Sequence, residues 1–165
     1  MEILQHIWGA TPEGEAIVIY TIRNANGCEV QLCNIGAAIV SVKAPDRNGN
    51  IDDIVLGYKD AMSYFGDGAA SGKSVGRVAN RIAKGKMTVD GVEYMLEINN
   101  GPNHLHGGSK GFANQLWDSR VAKRSRCTWW HIPLPGLEKR RPCFFATVCI
   151  YLWSSAFSKP ACSVL

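Results

Sequence analysis

The stretch "EAIVIYTI" (residues 15–22), with "NANG" (24–27) and "CEVQLC" (28–33) after it, decides the fold. Ile17 and Ile19 alternate with Val18 and Tyr20, so an extended chain here is apolar on both sides, the pattern of a strand buried on both faces. Asn26-Gly27 supplies the positive-φ chemistry of a tight turn, and "CEVQLC" alternates again, which predicts a β-hairpin. Outward from it, "AAIVSVKAPD" (37–46) predicts a further strand, "RNGN" (47–50) a second turn and "IDDIVLGY" (51–58) the strand that follows. "KMTVDGVEYML" (86–96) predicts another hairpin, turning at Asp90-Gly91 between Met87/Val89 and Val92/Tyr94/Leu96. No segment carries the apolar period of an amphipathic helix of ten or more residues. The expected class is all-β, with antiparallel hairpins building a sandwich.

At 165 residues and 46% hydrophobic, the chain has enough apolar material for one domain core. Its opening, "MEILQHIWGATPEGEA", lacks a basic segment followed by an apolar one, so a cytoplasmic location is expected. The six cysteines include no C-x-x-C pair, and neither a disulfide framework nor a zinc site can be read from their spacing. The net charge of +4 is unevenly held. Residues 1–120 carry 11 Lys+Arg against 13 Asp+Glu, whereas residues 121–165 carry 7 against Glu138 alone. That tail also holds four of the six cysteines and three of the five tryptophans but one of the 17 glycines, a mixture that fits no ordinary structural class. Two parts are therefore expected, 1–120 and 121–165. Within the tail "CFFATVCIYLW" (143–153) falls well short of the roughly 20 apolar residues that span a bilayer, and no membrane partner is expected.

The chemistry-bearing residues sit in loops. In "SYFGDGAASGKSVGRVANRIAKG" (63–85), four glycines precede Arg77, Asn80 and Arg81, but the spacing fits neither common phosphate-binding pattern. For Arg77 and Arg81 a solvated basic face and a ligand contact both remain open. "NNGPNHLHGG" (99–108) gathers Asn99, Asn100, Asn103, His104 and His106 between glycines. Two histidines two apart would share one face of a strand, as a metal site would need, yet His6 and His131 offer no third ligand. One histidine of the pair could equally be a core residue satisfied by backbone.

"GRVANRIAKGKMTVDGVEYMLEINNGPNHLHGGSKGF" resembles the signature region of the aldose 1-epimerase family, supported by "GAAIVSVKAPDRNGNIDDIVLGY" upstream and "GFANQLW" (111–117) downstream. The similarity runs to about Trp117 and corresponds to roughly the first third of a β-supersandwich enzyme. The resemblance implies that Arg81 and His106 line a sugar cleft and hydrogen-bond to hydroxyls, with Asn80 beside them. A five-donor guanidinium and an imidazole with one donor and one acceptor suit a pyranose, whose hydroxyls both give and take protons. Arg77 and His104 are assigned structural roles. Asn99, Asn100 and Asn103 are expected to hold the loop through local side-chain-to-backbone bonds.

The implied reaction is interconversion of the α and β anomers of hexoses such as glucose or galactose. A carboxylate takes the proton of the anomeric hydroxyl while a histidine protonates the ring oxygen, and the open aldehyde recloses in either configuration, with neither cofactor nor metal. The family's catalytic histidine, in an N-H-T/S-Y-F-N-like block, and its C-terminal glutamate have no counterpart here. Neither His131 nor Glu138 has the required surroundings, so no catalytic residue is assigned. The chain is expected to be truncated and inactive alone, its tail the product of a reading-frame change near Val121 to Arg126 or else a divergent extension. A non-catalytic carbohydrate-binding β-domain is the alternative. A third class, nucleic-acid binding through Trp129, Trp130 and the basic tail, would weaken steeply with salt. The partner expected is an aldose and not nucleic acid.

Overall fold

In the computed structural model the described residues are 2–122, 127–132 and 146–151, with residues 120–122 and the last two segments described by backbone alone. The hairpin at 15–33 forms as β2 (Ala16–Arg23) and β3 (Glu29–Cys33), antiparallel with Ile22 opposite Val30. The carboxamide of Asn24 closes its turn by accepting from the backbone of Asn26 and Cys28. β1 (Glu2–Ala10) adds on one side of this pair, and β4 (Ala38–Pro45) and β5 (Ile51–Asp53) on the other. The result is a five-stranded antiparallel meander in chain order.

Burial of β2 on both faces follows from its alternation. Ile17 and Ile19 pack on one side with Cys33, Ile35, Ala38, Val40 and the four-residue helix α1 (Ala61–Tyr64), whose Ala61 and Tyr64 are buried. Tyr20 and Ile22 pack on the other side with Val30, Leu32, Ala37 and Trp117. Ile17, Leu32 and Ile35 are almost fully enclosed, each worth about 1.5–3 kcal/mol of transfer energy. Trp117 closes the second layer through its indole N–H, which donates to the carbonyl of Phe112 at 3.0 Å. A hydroxyl-to-hydroxyl bond of 2.5 Å from Tyr20 to Ser119 ties that layer to the strand that leaves it.

One expectation is corrected, and one strand is found that the sequence does not predict. The strand expected over 51–58 ends at Asp53, because Val55 N–H turns back onto the Asp53 carboxylate at 3.1 Å and the chain leaves the sheet. β1 forms at the N-terminus without a readable alternation, held as an outer strand by its pairing with β2. The remaining elements are β6 (Arg81–Ile82), the hairpin β7 (Lys86–Val89) and β8 (Val92–Met95), β9 (His104–Leu105), and a three-stranded sheet of β10 (Asp118–Ala122), β11 (Cys127–Ile132) and β12 (Ala146–Tyr151). The hairpin turns at Asp90-Gly91 as expected. Most of the 121–165 tail, including Glu138, lies outside the described residues, as do the side chains of Trp129, Trp130 and His131. Among the described residues no helix is long and apolar enough to cross a membrane.

Candidate functional site

β6 and β9 are only two residues each, and they bring two distant stretches of chain together, with Arg81 opposite Leu105 and Ile82 opposite His104. A ladder this short cannot hold itself, so side chains complete it. The Asn99 carboxamide accepts from Leu105 N–H at 2.7 Å and donates to Leu105 carbonyl at 2.9 Å, standing in for a further strand. The turn at 100–103 is closed by reciprocal backbone bonds of 3.0 Å between Asn100 and Asn103, and the Asn103 carboxamide accepts from Lys84 N–H.

Asn80, at φ +61°, occupies the left-handed region that asparagine tolerates better than most residues. Its carbonyl accepts from His106 N–H at 3.2 Å, and its own N–H donates to His106 Nδ1 at 3.0 Å. A backbone amide can only donate, so Nδ1 carries the lone pair and the neutral ring carries its proton on Nε2. His106 Nε2 has no partner among the described residues, which leaves an N–H donor for a ligand. The neighbouring Arg81 is exposed and is held at Nε by the Asn100 carboxamide oxygen at 3.0 Å. Its terminal N–H groups are likewise without a partner among the described residues. Asn80, Arg81 and His106 thus form one hydrogen-bonded constellation with Asn100 behind it.

Asn100 and Asn103 depart from expectation, since the Asn100 side chain bonds the guanidinium and the Asn103 side chain bonds Lys84 backbone 19 residues away rather than local backbone. His104 and His106 also separate. His106 sits at φ +52°, outside the strand, so the two rings do not follow the alternation of β9. His104 is 3% exposed and its Nδ1 donates to the Glu97 carbonyl at 2.7 Å, a structural placement with the opposite tautomer to that of His106. Sequence reasoning passed over Glu97 altogether. Its carboxylate accepts from Ser109 N–H at 2.8 Å, and that bond chiefly holds its pKa below the usual glutamate range. The glycines before Arg77 make no free phosphate cradle, because the amides of Ala69 and Ser71 are taken by the Asp67 carboxylate at 2.8 and 2.7 Å. Arg77 itself is exposed and forms no hydrogen bond or ion pair among the described residues.

A family model described as aldose 1-epimerase matches residues 18–129. Galactose mutarotase of Sus scrofa is 40% identical over 121 residues, covering 73% of this chain and 35% of that protein. Aldose 1-epimerase of Escherichia coli is 37% identical over 106 residues, 64% of this chain and 31% of that protein. Among solved structures, an aldose epimerase homologue from C. elegans superposes with a TM-score of 0.61 at 36% identity, over 68% of this chain and 34% of that one. A galactose 1-epimerase from Lactobacillus acidophilus gives 0.64 at 24% identity, a likeness of fold, over 79% of this chain and 37% of that one. The chain spans about a third of the length of the curated relatives it matches. With its antiparallel sheets and its "ANRI" and "LHGG" blocks brought together, the chain belongs to the aldose 1-epimerase family.

Proposed function

We propose that Arg81, His106 and Asn80 form one wall of an aldose-binding cleft, and that the function this wall serves is anomer interconversion of hexoses. The observation that carries this reading is the anchoring pattern. Asn100 and Asn80 each take one nitrogen of a polar side chain and leave outward donors, the terminal N–H groups of Arg81 and the Nε2–H of His106. Fixed donors without protein partners suit hydroxyl oxygens, and prior anchoring reduces the entropy lost when a sugar binds. Free thiols at Cys28 and Cys33 suit a reducing, cytoplasmic compartment.

In this reading residues 1–120 supply the wall and 121–165 are taken as a second part of the sequence, with β10 (Asp118–Ala122) crossing their boundary. Neither supplies the acid/base pair, which in this reading belongs to the two thirds of the family fold that the alignment does not reach. General acid–base catalysis contributes roughly 10²–10⁴-fold, so the 165-residue chain alone is expected to leave the rate of galactose mutarotation at that of buffer. Polarimetry tests this. A rate well above buffer that disappears in Arg81→Ala or His106→Ala would show that the chain holds its own acid and base, against this reading. Galactose binding that Arg81→Ala and His106→Ala leave untouched would remove the wall itself.

A further inference from the structure

The five-stranded meander carries different chemistry on its two faces. Phe112, whose N–H bonds the Gly76 carbonyl that lies against Gly107, packs on the face of Tyr20 and Ile22. On the face of Ile19 and Val40 a cavity of about 360 Å³ opens, and none of Asn80, Arg81 and His106 lines it. Ligand pockets run from roughly 300 to 1,000 Å³, so this one suits a small molecule. Its floor is polar. Gln31 lies opposite Ser41 in the β3–β4 ladder, and β5 brings Asp53 beside them, with its Oδ1 accepting from Val42 and Val55 N–H at 3.1 Å each. Ser41 is 5% exposed, and its hydroxyl has no hydrogen-bond partner among the described residues. The Asp53 carboxylate stands close enough for that hydroxyl to be the first cause of its lowered pKa, but the two do not meet in hydrogen-bond geometry. A buried hydroxyl left unmatched is costly, so a group that bridges this gap is favoured.

The wall of the cavity is aromatic. Trp8 and Tyr58 both pack on the buried ring of Tyr64, with centroids 5.7 and 5.1 Å from it, and the Tyr58 hydroxyl donates to Asp67 at 3.0 Å. Both rings are therefore fixed before any ligand arrives. We propose that this cavity is a second carbohydrate subsite, taking a neutral pyranose with a C–H face against Trp8 and Tyr58 and a hydroxyl that bridges Ser41 and Asp53. A sugar hydroxyl accepts from Ser41 while it donates to the second Asp53 oxygen. Another donates to the Gln31 carbonyl oxygen, since the Gln31 amide N–H is taken by Thr21 Oγ1 at 3.3 Å. Lining charge argues against an ion: Lys43 is held by Glu29 at 3.1 Å, and Lys59 matches Asp53 in number. A wholly apolar ligand would leave the Ser41 hydroxyl unmatched. The subsite shares no residue with the wall at Arg81 and His106, and it stands or falls apart from the function proposed for that wall.

The probe is methyl β-D-galactopyranoside, which cannot mutarotate because its anomeric oxygen is blocked. It is titrated into the full 165-residue chain while the Trp8 indole and Gln31 carboxamide signals are followed by ¹H–¹⁵N NMR. Expected are saturable shifts at both positions, retained in Arg81→Ala. The apparent Kd should rise about fivefold in Ser41→Ala and in Gln31→Leu, as loss of one hydrogen bond does. Ser41→Ala deletes only an unmatched hydroxyl and should fold as the native chain does. Should Gln31→Leu unfold the chain, the native shifts and Ser41→Ala decide. No shift at Trp8 and Gln31, or shifts confined to His106, overturns the proposal. So does binding that Ser41→Ala and Gln31→Leu both leave at the native affinity. Equal shifts from inorganic phosphate also overturn it, since the cavity then selects an anion rather than a sugar.

Discussion

Gly107→Ala is the perturbation that the site's geometry resists most. At φ +88° Gly107 lies where an L-residue is strained, and a Cβ there would sit 1.9 Å from the Gly76 carbonyl oxygen and 2.6 Å from its carbon. A carbon–oxygen contact needs about 3.3 Å, so the two backbones must part by more than an ångström. The same Gly76 oxygen accepts from Phe112 N–H at 3.0 Å, and losing that bond costs about 0.5–1.5 kcal/mol. Left-handed strain adds roughly 1–2 kcal/mol, for a total of about 1.5–3.5 kcal/mol before any residual clash. Gly101→Ala is the matched control, with φ +55° and open space around the position, so it carries strain alone. Urea unfolding should place Gly107→Ala about 0.5–1.5 kcal/mol or more below Gly101→Ala. Galactose titration should show affinity lost only in Gly107→Ala, since its neighbour His106 is displaced. Equal stability and equal titrations for the two variants would refute this account of how the loop is held.

Asn100→Ala should leave stability within about 1 kcal/mol, because the bond it removes is exposed, yet weaken galactose binding in an NMR titration as the Arg81 side chain gains rotamers. Glu29, 5% exposed, accepts from Arg23 at 2.5 Å and contacts Lys43 at 3.1 Å, and its pKa is lowered, first by the Arg23 hydrogen bond. A depressed folded pKa means that this stabilisation is complete above the ordinary glutamate value and is lost as pH falls through the folded one. Glu29→Gln should accordingly cost about 1–3 kcal/mol at pH 7, and urea titrations should show the difference from the native chain shrinking below about pH 4.

The meander was legible because strand alternation and turn chemistry are local. Ile17 to Ile22 alternate over two cores, and Asn26-Gly27 and Asp90-Gly91 turn where their residue types require. β1 was not legible, since its side chains are mostly exposed and only the edge of β2 makes it a strand. The site was legible in membership but not in wiring. Resemblance singled out Arg81 and His106, while the bond from Arg81 to Asn100 spans 19 residues and leaves no trace in either stretch taken alone. The separation of His104 from His106 depends on a positive φ at a non-glycine residue, which strand spacing does not reveal.

The most direct test of the sugar wall is a long-range ¹H–¹⁵N NMR spectrum of the histidine rings, recorded at neutral pH with and without galactose. His106 should appear as the Nε2–H tautomer, because its Nδ1 accepts from Asn80, and its ring signals should move on galactose addition while those of buried His104 stay. An Nδ1–H tautomer at His106, or galactose shifts that bypass His106 and Arg81, would contradict the assignment of this wall to an aldose.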